Sequence, residues 1–428
     1  MIVFLLVGVL AVTLMMGIPI AFCIGLATMV ALAVQGTPFT EIPRNMFAGL
    51  NSFPLLSMPL FILAGDIMLR GRITKMLLDV SDLAVGRIVG GLGHVNILAS
   101  ILFAGITGMA TADTTALGSV LIPAMVERGY ERDYSTAITI ASSIIGPIIP
   151  PSLTFVIYAL AVGQVSIGGL FLAGAVPGLL MGLGLMVVHY FISRKRGYEK
   201  REHPIPLAQA LVIIREGFLA LLMPVIIIGG ILTGVFTATE AAGVASLYAM
   251  VVCLFVFHTI TWRDLPDIIL NMVKVSAMIA LILGTSKGFS WVLTTQNIPQ
   301  YIGGVLTGLT DSPVVFLMLV NIILLVIGCL VDTYPAILIF APIFHPIALS
   351  YGIHPLHFGV VMCVNLLIGL NTPPVGTGLF LGVAIGKVSL EELVKAVMPF
   401  NLVEMAVLLV LTYVPTLSLW LPSAAGFR

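Results

Sequence analysis

Apolar runs of about 20 residues or more recur along this 428-residue chain, near 2–34, 50–69, 134–162, 167–193, 217–236, 241–260, 268–290, 356–386 and 396–421. About 20 apolar residues rising 1.5 Å each cross the hydrocarbon core of a bilayer, so each run predicts a membrane helix. The first run is too long for one upright helix, and Pro19 after Gly17 permits either one tilted helix or two short ones. Two regions depart from the pattern. Residues 88–126 and 313–351 each read as two shorter apolar arms joined at a polar tip, "ITGMATADTT" (106–115) and "CLVDTYP" (329–335). Each tip holds one aspartate, Asp113 or Asp332. This pattern predicts a re-entrant hairpin, because irregular backbone survives at membrane depth only when it is buried in protein or lines a wet cavity.

Two of the remaining runs carry residues that a helix interior tolerates poorly. "GPIIPPSLTF" (146–155) and "GLNTPPVGTG" (369–378) each contain adjacent prolines, which remove backbone donors and clash with the preceding turn. Displacing the chain by 223 positions puts Gly146 on Gly369, Pro150 and Pro151 on Pro373 and Pro374, and Thr154 on Thr377; eight of 21 consecutive positions are identical, more than chance gives. The tips align at a slightly different displacement, 219, with Asp113 on Asp332, Thr114 on Thr333 and Pro123 on Pro342. Each half then reads as hairpin, broken helix and further helix. Basic residues mark the cytoplasmic side. Arg70, Arg72, Lys75, Arg87, Arg128 and Arg132 flank the first hairpin, and "RKRGYEKREH" (194–203) follows the first broken helix. The flanks of the second hairpin, "TGLTDSP" (307–313) and "SYGIHP" (350–355), carry no Lys or Arg. The hairpins are therefore expected to open to opposite sides, which makes the halves inverted copies.

Composition excludes several classes of function. The chain is 59% hydrophobic and 9% charged, with a mean hydropathy of +1.16; soluble domains carry roughly 25% charged residues. Nineteen basic and nineteen acidic residues cancel, which argues against a nucleic-acid partner. No long polar stretch offers a domain outside the membrane, and no G-x-x-x-x-G-K-[ST] phosphate loop is present. The start, "MIVFLLVGVLAVTLMM", lacks the basic region of a secretory signal and reads as a retained membrane segment. Cys23, Cys253, Cys329 and Cys363 sit in apolar runs as packed thiols, and His94, His189, His258 and His345 lack ligand spacing. No cofactor is expected.

Inverted repeats whose interrupted helices meet near the bilayer midplane are a common construction in secondary transporters. A break frees carbonyls for a cation and presents helix N-termini, which favour anions. The candidate cation ligands lie where each tip meets the break of its own half. In the first half they are Gly105, Thr107, Gly108, Thr111 and Asp113, with Ser142, Ser143, Gly146 and Pro150. In the second they are Gly328, Asp332 and Thr333, with Asn365, Gly369, Thr372, Pro373 and Gly376. Many neutral oxygens and few carboxylates suit a monovalent ion, since Mg²⁺ or Ca²⁺ would want more charge. Thr111, Ser152, Thr154, Asp332, Asn371 and Thr377 are the candidate substrate contacts. Plainer roles compete: Asp113 and Asp332 as turn or cap residues, Glu240 in a capping box with Thr237, and Lys274 and Lys287 snorkelling to an interface.

The stretches "LLSMPLFILAGDIM" (55–68), "GMATADTTALGSVLIPAM" (108–125), "IIGPIIPPS" (144–152), "GVFTATEAA" (234–242) and "GLNTPPVG" (369–376) together resemble the large membrane subunit of tripartite ATP-independent periplasmic (TRAP) transporters over essentially the whole chain. Ala238 stands where that pattern has proline. The resemblance implies an all-α polytopic protein with elevator-like, ion-transporter-superfamily architecture in a bacterial inner (cytoplasmic) membrane. It implies Na⁺ as the coupling ion at the cation sites above, and import of an organic acid of the sialic acid or C4-dicarboxylate type. It also implies two partners: a small four-helix membrane subunit and a periplasmic substrate-binding protein. The corresponding division is 1–87 scaffold helices and amphipathic arm, 88–166 first transport repeat, 167–290 scaffold with a cytoplasmic linker at 194–216, 291–389 second transport repeat, and 390–428 a C-terminal scaffold helix. Two other classes remain open on the residues alone: an intramembrane aspartyl-type enzyme using the two aspartates, and a passive anion channel.

Overall fold

The computed structural model describes residues 2–71, 73–200 and 205–427. Arg72 and the end of the basic stretch 194–203, both used above for orientation, lie outside the described residues. Among the described residues the chain is helical throughout, without strands. Its first apolar run is two helices, α1 (Ile2–Met15) and α2 (Ile20–Gln35), separated by Gly17 at φ +75° and by Pro19. There follow α3 (Glu41–Leu50), α4 (Ser57–Arg70) and α5 (Ile73–Val85). The first hairpin is α6 (Gly91–Thr107) and α7 (Ala110–Glu127), and the first broken helix is α8 (Arg132–Ser143) and α9 (Leu153–Val162). α10 (Ile167–Arg196) closes the half.

A second set of connecting helices comes next: α11 (Leu207–Leu232), α12 (Ala238–Val251), α13 (Leu265–Thr295) and the short α14 (Ile298–Leu309), which the apolar runs did not foresee. The second hairpin is α15 (Pro313–Leu330) and α16 (Thr333–Ser350); the second broken helix is α17 (Pro355–Gly369) and α18 (Thr377–Gly386). α19 (Leu390–Tyr413) and α20 (Thr416–Ala424) divide the last apolar run, with Pro415 between them. Eight helical segments among the described residues are long and apolar enough to cross a membrane.

The helix boundaries fix one register for the whole repeat. α7 and α16 both have 18 residues and start 223 positions apart, at Ala110 and Thr333. The breaks share that displacement, so the alignment of the tips at 219 is corrected: Asp113 is equivalent to Ala336, and Asp332 to Met109. In the 223 register Gly105 matches Gly328 and Pro123 matches Pro346. The misleading match arose because Asp-Thr favours helix starts. Asp332 is the N-cap of α16, whereas Asp113 lies inside the first turn of α7.

The halves interlock through polar contacts in the interior. The Tyr158 hydroxyl on α9 pairs with His345 Nδ1 on α16 at 2.7 Å, and Asn371 Nδ2 donates to the Ile140 carbonyl on α8 at 2.8 Å. The Arg132 guanidinium reaches the Gly386 carbonyl at the end of α18, where a helix C-terminus favours a cation. α10 and α19 pack on the broken helices α8, α9, α17 and α18, on hairpin arm α6 and on one another, although the sequence division grouped them with the scaffold. The reason is visible on α10: Gly174, Gly178 and Gly182, four residues apart, leave no room for a side chain against Phe155, Ile149 and Ile101. The Arg196 guanidinium, 2.9 Å from Glu131 and stacked 4.7 Å over the Tyr134 ring, fastens the far end of α10 to the same body.

The other helices α2, α3, α4, α12 and α13 pack among themselves. Lys287 of α13 was expected to snorkel. Its ammonium instead donates to the Leu160 and Ala161 carbonyls at the end of α9, at 2.8 and 3.0 Å. This contact joins the two groups of helices at unpaired helix-terminal carbonyls.

Gly328 and Gly369 let the second hairpin approach the second break backbone to backbone: a Cβ on Gly369 would overlap the Gly328 backbone. Gly369→Ala should destabilise by about 1–3 kcal/mol through overpacking. The measurement is the apparent unfolding temperature in detergent, which should fall by a few degrees; an unchanged value would mean that the tip does not seat on the break.

Candidate functional site

At each junction a hairpin tip packs on the middle of a broken helix, so tip and break share one depth. At the first, Gly108 turns the chain between α6 and α7 at φ +61°, a conformation that glycine adopts without penalty. A Cβ there would collide with the Pro151 carbonyl, and the Pro150 carbonyl lies beside Gly105. The Pro151 carbonyl of the break therefore faces the tip. The Thr107 hydroxyl donates to Oδ1 of Asp113, which is fully buried. Oδ2 has no hydrogen-bond partner and abuts Gly146. A buried carboxylate with one oxygen unsatisfied is costly unless a proton or a cation meets it.

Hydroxyls behind the break complete this junction. Ser142 receives a hydrogen bond from Ser100 at 2.9 Å, and Ser143 donates to the Thr139 carbonyl at 2.7 Å. Ser152 acts locally, capping α9 by accepting from the Phe155 amide at 3.1 Å and donating to the Pro147 carbonyl. Thr154 is buried, and its hydroxyl has no partner.

The second junction is built differently. The Gly376 amide donates to the Cys329 carbonyl at 2.9 Å, and Thr333 reaches the Leu366 carbonyl at 3.4 Å. Asn365 Nδ2 donates to the backbone and side-chain oxygens of Asn321, both at 2.9 Å, leaving its own Oδ1 without a partner. Thr372 closes on Ile368 at 2.8 Å. The Pro150–Pro151 and Pro373–Pro374 bonds are both cis. Asp332 does not point into the junction: it caps α16 through the Thr333 amide at 2.6 Å and is exposed. The first junction thus has a carboxylate and the second an amide oxygen.

Asp332 faces a cavity of ≈ 810 Å³ between the two groups of helices, together with Thr111, Thr333 and Tyr334 from the tips, and Pro147 and Leu370 from the breaks. The opposite wall holds Asp66 and Arg70 of α4 and Asn271 of α13, whose Nδ2 donates to Asp66 at 2.6 Å. Of the candidate substrate contacts, Thr111 and Asp332 reach this cavity. Asn371 is committed to Ile140 and, through its carbonyl, to Asn401; Thr377 is exposed at the start of α18. Sequence reasoning missed the opposite wall. Arg70 served as a topology marker, although Asp66 and Arg70 one turn apart at the end of an apolar helix are an available signal. Among the described residues no group of three or more His, Cys, Asp and Glu converges, and Thr237 and Glu240 form the expected capping box.

Residues 7–417 match the family model of the tripartite ATP-independent periplasmic transporter, DctM component. The chain belongs to that family. The C4-dicarboxylate TRAP transporter large permease protein DctM of Pseudomonas aeruginosa is 40% identical over 89% of this chain and 89% of its own length. The sialic acid TRAP transporter large permease protein SiaM of Vibrio cholerae is 38% identical over 95% of each. The solved structure of the Alcanivorax borkumensis YdaH transporter, described as having an unusual topology, superposes with a TM-score of 0.57 at 16% identity, covering 89% of this chain and 87% of that one; it shares the fold. The chain is therefore a large TRAP permease, a polytopic membrane transport protein and not an enzyme.

Two neighbouring substitutions separate capping from ligation in this permease. Ser152→Ala should cost about 1 kcal/mol by removing the α9 cap. Thr154→Val should leave stability unchanged or raise it, since the lost hydroxyl has no partner. Thermal unfolding in detergent checks both, and equal losses would place Thr154 in the structural network.

Proposed function

We propose that this permease is a sodium-gradient-driven secondary importer of an organic acid, of the sialic acid or C4-dicarboxylate type, in a bacterial inner membrane. The observation that carries the reading is the first junction, where Asp113 Oδ2 is buried without a partner and the Pro151 carbonyl lies against the Gly108 turn of the tip. That oxygen set suits Na⁺, which needs little compensating charge. Asn365 Oδ1 and the carbonyls around Gly328 and Gly369 are the corresponding donors in the second half.

Arg70 on the far wall is the natural partner for a substrate carboxylate, because guanidinium groups pair with carboxylates through two parallel hydrogen bonds. Thr111 and Asp332 would then meet the substrate's hydroxyl or amide groups from the tips. An ion bound at a junction orders the tip that forms one wall of the cavity, which couples ion occupancy to substrate binding. The interlocked body of hairpins and broken helices would carry both across the membrane in an elevator movement against α2–α4, α12 and α13. The small four-helix subunit would widen that frame, and the periplasmic binding protein would deliver the solute. The family and its relatives support such partners.

The experiment is uptake of labelled sialic acid and of a labelled C4-dicarboxylate into proteoliposomes, omitting in turn the sodium gradient, the small subunit and the binding protein. Each omission should abolish accumulation of whichever solute is carried. Asp113→Asn should insert normally and lose most sodium-driven uptake. Accumulation that is indifferent to sodium at fixed membrane potential would contradict the reading.

A further inference from the structure

Neither junction uses Glu404, although it is fully buried on α19 and both of its carboxyl oxygens lack a hydrogen-bond partner. Three residues earlier, on the same face of the helix, Asn401 is buried as well. Asn401 Nδ2 donates to the Asn371 carbonyl in the second break at 2.8 Å. A carbonyl cannot donate, so this contact fixes the orientation of the amide: the nitrogen faces Asn371 and Oδ1 must accept. Oδ1 has no donor. Side chains at i and i+3 stand about 5–6 Å apart at their Cβ atoms. Asn401 and Glu404 therefore stand one turn apart on one helix face, within reach of one another, and their three acceptor oxygens have no donor.

Among the described residues no donor or cation bonds the Glu404 carboxyl. The elements packed against α19 are α8, α10, α17 and α18. α18 has no titratable side chain. Tyr134 of α8 and His189 of α10 bond each other at 2.8 Å, and His357 of α17 bonds Ser418 and the Thr412 carbonyl at 2.7 and 3.2 Å. Cys363 of α17 is a buried thiol. The charged residues of α8 lie in its first turn and those of α10 in its last, and the Glu391–Lys395 pair of α19 is exposed. An ionised Glu404 would be a buried, unpaired anion beside a second unsatisfied acceptor, an arrangement that the protein interior strongly disfavours. One proton removes the charge and gives Asn401 Oδ1 a donor, so that one acceptor oxygen in place of three stays without a partner.

We propose that Glu404 is a proton-binding site. It holds a proton inside the transport body and donates it to Asn401 Oδ1, and so links a neutral carboxyl through Asn401 to the Asn371 carbonyl of the second break. The ligand is a proton and not a metal ion, since three acceptor oxygens from one helix face are too few for the coordination shell of a metal cation.

Infrared difference spectroscopy of the full-length protein at neutral pH tests this without reference to transport. Wild type should show a protonated-carboxyl C=O band that Glu404→Gln removes, and Asn401→Ala should move that band to the higher frequency of a less strongly hydrogen-bonded acid. A carboxylate signature in place of that band overturns the proton, and a band unmoved by Asn401→Ala overturns the link to Asn401. Glutamine is a neutral, nearly isosteric replacement, so Glu404→Gln should also keep the thermal stability and the sodium-induced stabilisation of wild type, measured in sodium against choline chloride. If that stabilisation disappears in Glu404→Gln while the fold persists, the carboxyl is ionised and holds the metal ion, and the proposal fails.

Discussion

A backbone carbonyl released from a helix in the middle of a bilayer has no water to turn to, and leaving it unsatisfied costs several kcal/mol. This chain releases such groups twice, between Ser143 and Leu153 and between Gly369 and Thr377. Much of the architecture follows from covering them. Hairpin tips pack on the breaks, and Gly108, Gly328 and Gly369 allow backbone to approach backbone there. Gly174, Gly178 and Gly182 bring α10 against the other side of the first break. The Pro151 carbonyl lies against the Gly108 turn of the first tip, and the Cys329 carbonyl of the second tip accepts from the Gly376 amide.

The two copies of this arrangement have diverged. The first junction keeps a carboxylate, Asp113, while the equivalent place in the second is Ala336. The second relies on amides: Asn365 against Asn321, and Asn371 strung between Ile140 of the other half and Asn401 of α19. Asn371 therefore ties the second break to the first broken helix, so the breaks are mechanically joined.

The breaks and hairpins were legible because adjacent prolines and clustered hydroxyls are costly inside an apolar run unless the helix is interrupted there, and the 223-residue displacement showed directly in shared Gly, Pro and Thr. The tip register was not legible. Asp-Thr recurs wherever a helix starts, so a short match at 219 outcompeted the Gly105–Gly328 and Pro123–Pro346 matches. The place of α10 was written in its glycines every four residues, but an apolar helix looks alike whether it faces lipid or protein until its neighbours are known. Asp66, Arg70 and Asn271 meet in space from helices about 200 residues apart, which no local pattern reveals. Asn401 and Glu404 lie in one helix, and their lack of donors is a property of the packed interior alone.

Sodium binding to the purified protein, measured directly with radioactive sodium at equilibrium, tests the junctions most closely. Wild type should bind sodium saturably. Gly146→Ala, whose methyl group would sit against Asp113 Oδ2, should lose the ion of the first junction and retain that of the second. Unchanged sodium stoichiometry and affinity in a folded Gly146→Ala protein would contradict the account, because they would place the ion away from the meeting of tip and break.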